Sequence, residues 1–83
     1  MVEAKLLSLN VRGIQDSKKR REIFAWLKRH HKGTYSFILL LETHSKIEDE
    51  LVWKNEWGAQ ILFSYGTARS RGVAVLFPKE TLL

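Results

Sequence analysis

Apolar positions along the chain fall into four short runs. Between them lie two stretches in which apolar residues recur at helical spacing. The first run, Lys5-Leu6-Leu7-Ser8-Leu9-Asn10, reads as a buried strand. Arg12-Gly13 opens a loop to Asp16 or Ser17, either of which can cap a helix. From Lys18 to about His31 the apolar residues Ile23, Phe24 and Leu27 recur every three or four positions, with Trp26 flanking that stripe. Gly33 suits a helix C-cap. Phe37 to Leu41 is too short for an independent helix and fits a strand covered on both faces. Ser45-Lys46-Ile47-Glu48 matches a capping box, which predicts a short helix through about Trp53. Ala59 to Tyr65 alternates loosely and Gly72 to Phe77 is a second strand-like run, closed by Pro78. The segment between them, Gly66-Thr67-Ala68-Arg69-Ser70-Arg71-Gly72, reads as a polar hairpin loop.

This order, β-α-β-α-β-β, predicts an α/β fold in one small domain. A strand–helix–strand unit crosses over right-handed, so its strands are parallel neighbours. Asn10 and Glu42, each closing an apolar run, then share the carboxyl edge of the sheet, where open α/β sheets bind ligands. Helices of this pattern cover one sheet face, yet the strands are apolar enough to want cover on both. The expectation is an incomplete unit: a missing C-terminal half, or a complementing chain.

Composition narrows the chemistry. There are no cysteines, which excludes disulfides and thiolate zinc sites. No run approaches the roughly 18 apolar residues of a membrane span, and the N-terminus lacks the layout of a signal peptide. An intracellular chain is expected, with the nucleus as one location, not secreted and with no membrane partner. A net charge of +5 favours a polyanion as partner. The basic residues Lys18, Lys19, Arg21, Arg29 and Lys32 lie on the polar face of the first helix. Lys18 to Arg21 oppose the helix dipole, so helix stability does not explain them. Two readings stand: a solvated amphipathic face, or phosphate contact. The same pair applies to Arg69 and Arg71. Trp53 and Trp57 read as packing residues, with base stacking as the alternative. Asn10 on its own can be a turn residue, and Glu42 a solvated loop carboxylate.

Taken together, Ser8-Leu9-Asn10-Val11-Arg12-Gly13, a basic helix containing Trp26-Leu27, Leu41-Glu42-Thr43-His44 and Gly72-Val73-Ala74-Val75-Leu76 resemble the N-terminal part of the endonuclease/exonuclease/phosphatase superfamily. Within it the likeness is to the endonuclease domain of non-long-terminal-repeat retrotransposons, relatives of apurinic/apyrimidinic endonucleases. The resemblance implies part of a two-sheet α/β sandwich, residues 1–83 forming one partial domain, and magnesium- or manganese-dependent hydrolysis of DNA phosphodiesters. It implies Glu42 as direct metal ligand and Asn10 as the residue that orients it and contacts metal or phosphate. Arg12, Lys18, Lys19, Arg21, Arg69 and Arg71 are the expected nucleic-acid contacts. The chain departs from the family in two ways. Leu41 stands where the family usually has Gln, and the later Tyr, Asp-Asn and Asp-His motifs are not in this sequence. His44 does not match the position of the family's water-activating base. Weak or absent catalysis by this chain alone follows, and a small basic binding module without chemistry is the alternative.

Overall fold

A computed structural model describes residues 4–31, 33, 35–66 and 71–79. The elements are β1 (Lys5–Asn10), α1 (Ser17–His30), β2 (Ser36–Leu41), a 3-10 turn (Ile47–Asp49) running into α2 (Glu50–Trp57), β3 (Ile61–Ser64) and β4 (Val73–Leu76). They form one four-stranded mixed sheet in the order β1-β2-β4-β3. β1 and β2 are parallel, with Asn10 opposite Leu41. β4 runs antiparallel to both β2 and β3. The β-α-β-α-β-β order expected from the sequence is thus the observed one.

Local signals explain most element ends. Asp16 is the N-cap of α1, its carboxylate accepting from the Lys19 N–H at 3.1 Å. Gly58, at φ 86°, ends α2 in the left-handed conformation that glycine adopts without strain. Two caps differ from expectation. The helix α1 closes on His31, not Gly33. Gly33 serves the turn into β2, its carbonyl accepting from Ser36 N at 3.2 Å. The second helix starts one residue later than its predicted box and runs to Trp57. Lys46 is the cap residue, and its N–H donates to Asp49 at 2.8 Å. The Ser45 hydroxyl is not available there because it pairs with Thr43 Oγ1 at 3.1 Å. The strands are also shorter than the apolar runs: Ala59, Gln60, Tyr65, Gly72 and Phe77 lie outside the ladders.

Both helices pack on one sheet face. Phe24 and Leu27 from α1 and Trp53 and Trp57 from α2 bury against Ile38, Leu40, Ile61, Ala74 and Leu76. Phe24 meets Trp57 edge-on at 5.6 Å, and the Trp57 indole N–H donates to the Phe77 carbonyl at 2.9 Å. The two tryptophans are therefore core. Trp26, beside the stripe, is exposed. A bidentate ion pair joins the helices: Arg20 Nε and Nη2 reach Glu56 Oε1 and Oε2 at 2.6 and 3.1 Å. Arg20 also donates to the Ile14 and Gln15 carbonyls and lies over the Trp53 ring. The expectation that β2 is covered on both faces fails. Its residues alternate, with Ser36, Ile38 and Leu40 buried and Phe37, Leu39 and Leu41 only half-buried. No described helix is long and apolar enough to cross a membrane.

Candidate functional site

The parallel pairing of β1 and β2 fixes where their ends go. Asn10 is the register partner of Leu41, so Glu42 lies one residue beyond it on the same carboxyl edge. The chains leaving the two strands stay together. Val11 N donates to Leu41 O at 3.0 Å, Gly13 N to Glu42 O at 2.6 Å and Ile14 N to Thr43 O at 3.2 Å. The residues that lead into β4 join them: Thr43 N donates to Gly72 O and His44 N to Arg71 O, at 3.1 and 2.7 Å. Three loops thus meet at one edge through main-chain bonds.

This edge is also where the backbone is strained. Arg12, Glu42 and His44 adopt φ of 50°, 56° and 57°, the non-glycine residues with positive φ among those described. Such a conformation costs on the order of 1–3 kcal/mol per residue and gathers at functional sites. Gly13 permits the arrangement. At φ 84° it has no side chain, and a Cβ there would lie 2.7 Å from His44 Nδ1. The imidazole therefore sits directly against the Gly13 backbone. Its Nε2 is buried with no described hydrogen-bond partner. Two further side chains hold the loops. Lys19 Nζ donates to the Val11 and Gly13 carbonyls, both at 2.9 Å. Gln15 Nε2 donates to His44 O at 2.7 Å and Asp49 Oδ2 at 2.6 Å.

Of the expected site residues, Asn10 and Glu42 are brought to one edge. Asn10 is exposed, and its Oδ1 accepts from Arg12 N at 3.1 Å, an Asx turn that starts the loop. Glu42 is half-buried, and its carboxylate has no hydrogen bond or ion pair with another described residue. Arg12 and Arg71 reach the same edge and are exposed. Lys18 is exposed in the first turn of α1. Arg21 is largely exposed and bonds Ser17 O at 3.2 Å. Lys19 has its ammonium held by two carbonyls, so it is a loop clamp before it is a phosphate contact. Arg69 lies outside the described residues.

The sequence reading missed the roles of Lys19, Gln15, Arg20 and His44. Lys19 and Arg20 sit inside a basic run and look like their neighbours. No spacing marks them, because their partners come from loops and from α2.

The donor chemistry fits a hard divalent cation. Among the described residues no three His, Cys, Asp or Glu side chains converge. A magnesium ion needs few: it takes one or two carboxylates and keeps waters and substrate phosphates as its other ligands. Glu42 supplies an unpaired carboxylate, and the second lone pair of Asn10 Oδ1 remains free for a ligand. No family model, curated protein or solved structure matches this chain.

Proposed function

We propose that the chain is the N-terminal part of a magnesium-dependent DNA endonuclease of the retrotransposon type, hydrolysing little or no DNA by itself. What supports this is the meeting of Asn10 and an unpaired Glu42 at one strained strand edge. In this reading Glu42 holds the metal, magnesium or manganese. Asn10 steadies it or the scissile phosphate, while Arg12 and Arg71 attract the DNA backbone. A bound ion would polarise the phosphoryl oxygen and stabilise the leaving alkoxide. General-base catalysis, worth about 10²–10⁴ in rate, has no assigned residue here, which is why activity is expected to be small.

A second reading is a basic nucleic-acid-binding module without catalysis. Leu41 favours it. On the sheet Leu41 lies between Asn10 and Val73, so an apolar side chain occupies the row beside Asn10. The test uses manganese and NMR. Paramagnetic broadening is expected first at the Asn10 and Glu42 amides, and Glu42→Gln should remove it. Broadening centred elsewhere, or unchanged in Glu42→Gln, refutes the metal site and leaves the binding module. Supercoiled plasmid with magnesium should stay intact. Nicking abolished by Glu42→Ala would instead show that the chain is active unaided.

A further inference from the structure

A cavity of about 310 Å³ opens at the end of the sheet away from Asn10 and Glu42. The antiparallel register puts it there. Val73 pairs with Leu41 at the candidate edge, so the chain leaving β4 at Leu76 emerges at the opposite end. Both helices also finish at this end. The walls are Lys28 and His31 from the close of α1, Trp57 and Gly58 from the close of α2, and Pro78 and Lys79 beyond β4. The cavity is thus on the helical side of the sheet. A second sheet or chain packed on the other face would leave it open.

Its lining has two kinds of chemistry. Trp57 and Pro78, both buried, give it an apolar wall. The charged groups are all basic, and no acidic side chain is among the described residues that line it. Part of this charge has a local use. Lys28 Nζ donates to Glu56 O at 2.8 Å, near the end of α2, and sits 5.7 Å over the Trp57 ring. His31 Nε2 meets the Phe37 carbonyl at 3.2 Å. An ammonium has three protons, so Lys28 keeps two for a ligand. Lys79 is exposed, with no hydrogen bond or ion pair to another described residue. Helix capping does not explain it.

Charge and volume select the ligand. The two helix ends oppose an anion, each counting as about half a negative charge. Two ammonium groups outweigh them, so the balance stays positive by about one charge. A single carboxylate would satisfy one ammonium. A phosphate monoester carries about −1.5 to −2 at neutral pH and three acceptor oxygens, enough for both. The volume is at the lower end of small-molecule sites, about 300–1,000 Å³, which suits one ring with its substituents and not a polymer. We propose that this cavity binds a small phosphate monoester carrying a flat ring. The phosphate meets Lys28 and Lys79, and the ring lies against Trp57 and Pro78. This inference does not depend on the nuclease reading, since it involves neither the metal nor the Asn10–Glu42 edge.

NMR titration of the isotope-labelled whole chain with thymidine monophosphate, a single-ring nucleotide, tests it without any divalent metal. Saturable shifts are expected at the Gly33, Gly58 and Lys79 amides and at the Trp57 indole N–H, with none centred on Asn10 or Glu42. Thymidine supplies the ring alone and inorganic phosphate the anion alone, and each should bind more weakly than the monophosphate. Lys79→Ala should weaken the monophosphate about tenfold, the loss of one charge-assisted hydrogen bond. Lys79→Glu should abolish binding. Lys79 is exposed, so the fold should survive, which far-UV circular dichroism checks. Lys46→Ala removes the same charge at an exposed position before the 3-10 turn and should change binding little. The absence of saturable shifts, or shifts centred elsewhere, overturns the inference. So does inorganic phosphate binding as well as the monophosphate, or equal weakening by Lys79→Ala and Lys46→Ala.

Discussion

Gly13→Ala compared with Gly58→Ala isolates the contact that holds the candidate site together. The two glycines share a positive φ, 84° and 86°. They differ in surroundings. A Cβ at Gly58 meets nothing within 4 Å, whereas one at Gly13 lies 2.7 Å from His44 Nδ1 and 3.1 Å from its Cε1. Gly58→Ala should cost only the left-handed penalty, about 1–2 kcal/mol. Gly13→Ala adds an overpacking cost of about 1–3 kcal/mol, for a total of roughly 2–5 kcal/mol. A domain of this size has about 4–12 kcal/mol of stability at roughly 0.05–0.15 kcal/mol per residue, so the change is large. Urea unfolding followed by tryptophan fluorescence measures both variants. In a His44→Ala background the Gly13→Ala cost should fall to that of Gly58→Ala, a coupling of about 1–3 kcal/mol in a double-mutant cycle. Equal costs for the two glycines, or a Gly13→Ala cost undiminished without the imidazole, would refute the reasoning. The clamp between the Asn10 and Glu42 loops would then not exist.

Three other outcomes follow from the described contacts. Arg20→Ala breaks a pair whose side chains are 6% and 19% exposed and should destabilise by about 3–5 kcal/mol; Arg21→Ala, 65% exposed and 3.9 Å from Glu56, should cost under about 1 kcal/mol, and similar losses in urea titrations would sink that distinction. The Tyr65 hydroxyl is pushed up to about 12 by partial desolvation, its hydrogen bond to Glu50 and the nearby carboxylates of Asp49 and Glu48. Because its folded value is raised, its contribution to stability is full below the ordinary value near 10 and is lost as pH rises toward 12; ultraviolet titration should show a late-ionising tyrosine that Glu50→Gln brings down. Duplex DNA binding should be weak, without base preference and steeply weakened by salt, with a log–log slope near −3 to −4 for about four phosphates engaged. Arg69→Ala/Arg71→Ala should reduce that slope by roughly 2; Lys19→Ala should lower stability more than the slope, since its ammonium holds Val11 and Gly13.

Side-chain period made the strands and helices legible. Ile23, Phe24 and Leu27 mark a buried stripe that the fold uses as such, apart from half-exposed Ile23. The short runs at Lys5 and Phe37 could only be strands, and the crossover rule then brought Asn10 and Glu42 to one edge. Less legible was everything carried by contacts distant in sequence. Neither Arg12 nor Glu42 announces a left-handed backbone, which such residues disfavour in isolation, and His44 only belongs to a type somewhat more often found there. The conformation exists because bonds such as Gly13 N to Glu42 O and His44 N to Arg71 O over-determine it. Arg20 and Lys19 make the same point about charge. Four basic residues stand in a row from Lys18 to Arg21, and net charge treats them alike. The fold does not: Arg20 is consumed by Glu56, 36 residues away, and Lys19 by two loop carbonyls, while Lys18 and most of Arg21 stay in solvent. The net charge is unchanged by these contacts, but Arg20 and Lys19 are tied to protein groups and less free to meet a phosphate. Arg12 and Arg71 are exposed beside the edge where Glu42 has no hydrogen bond or ion pair with another described residue.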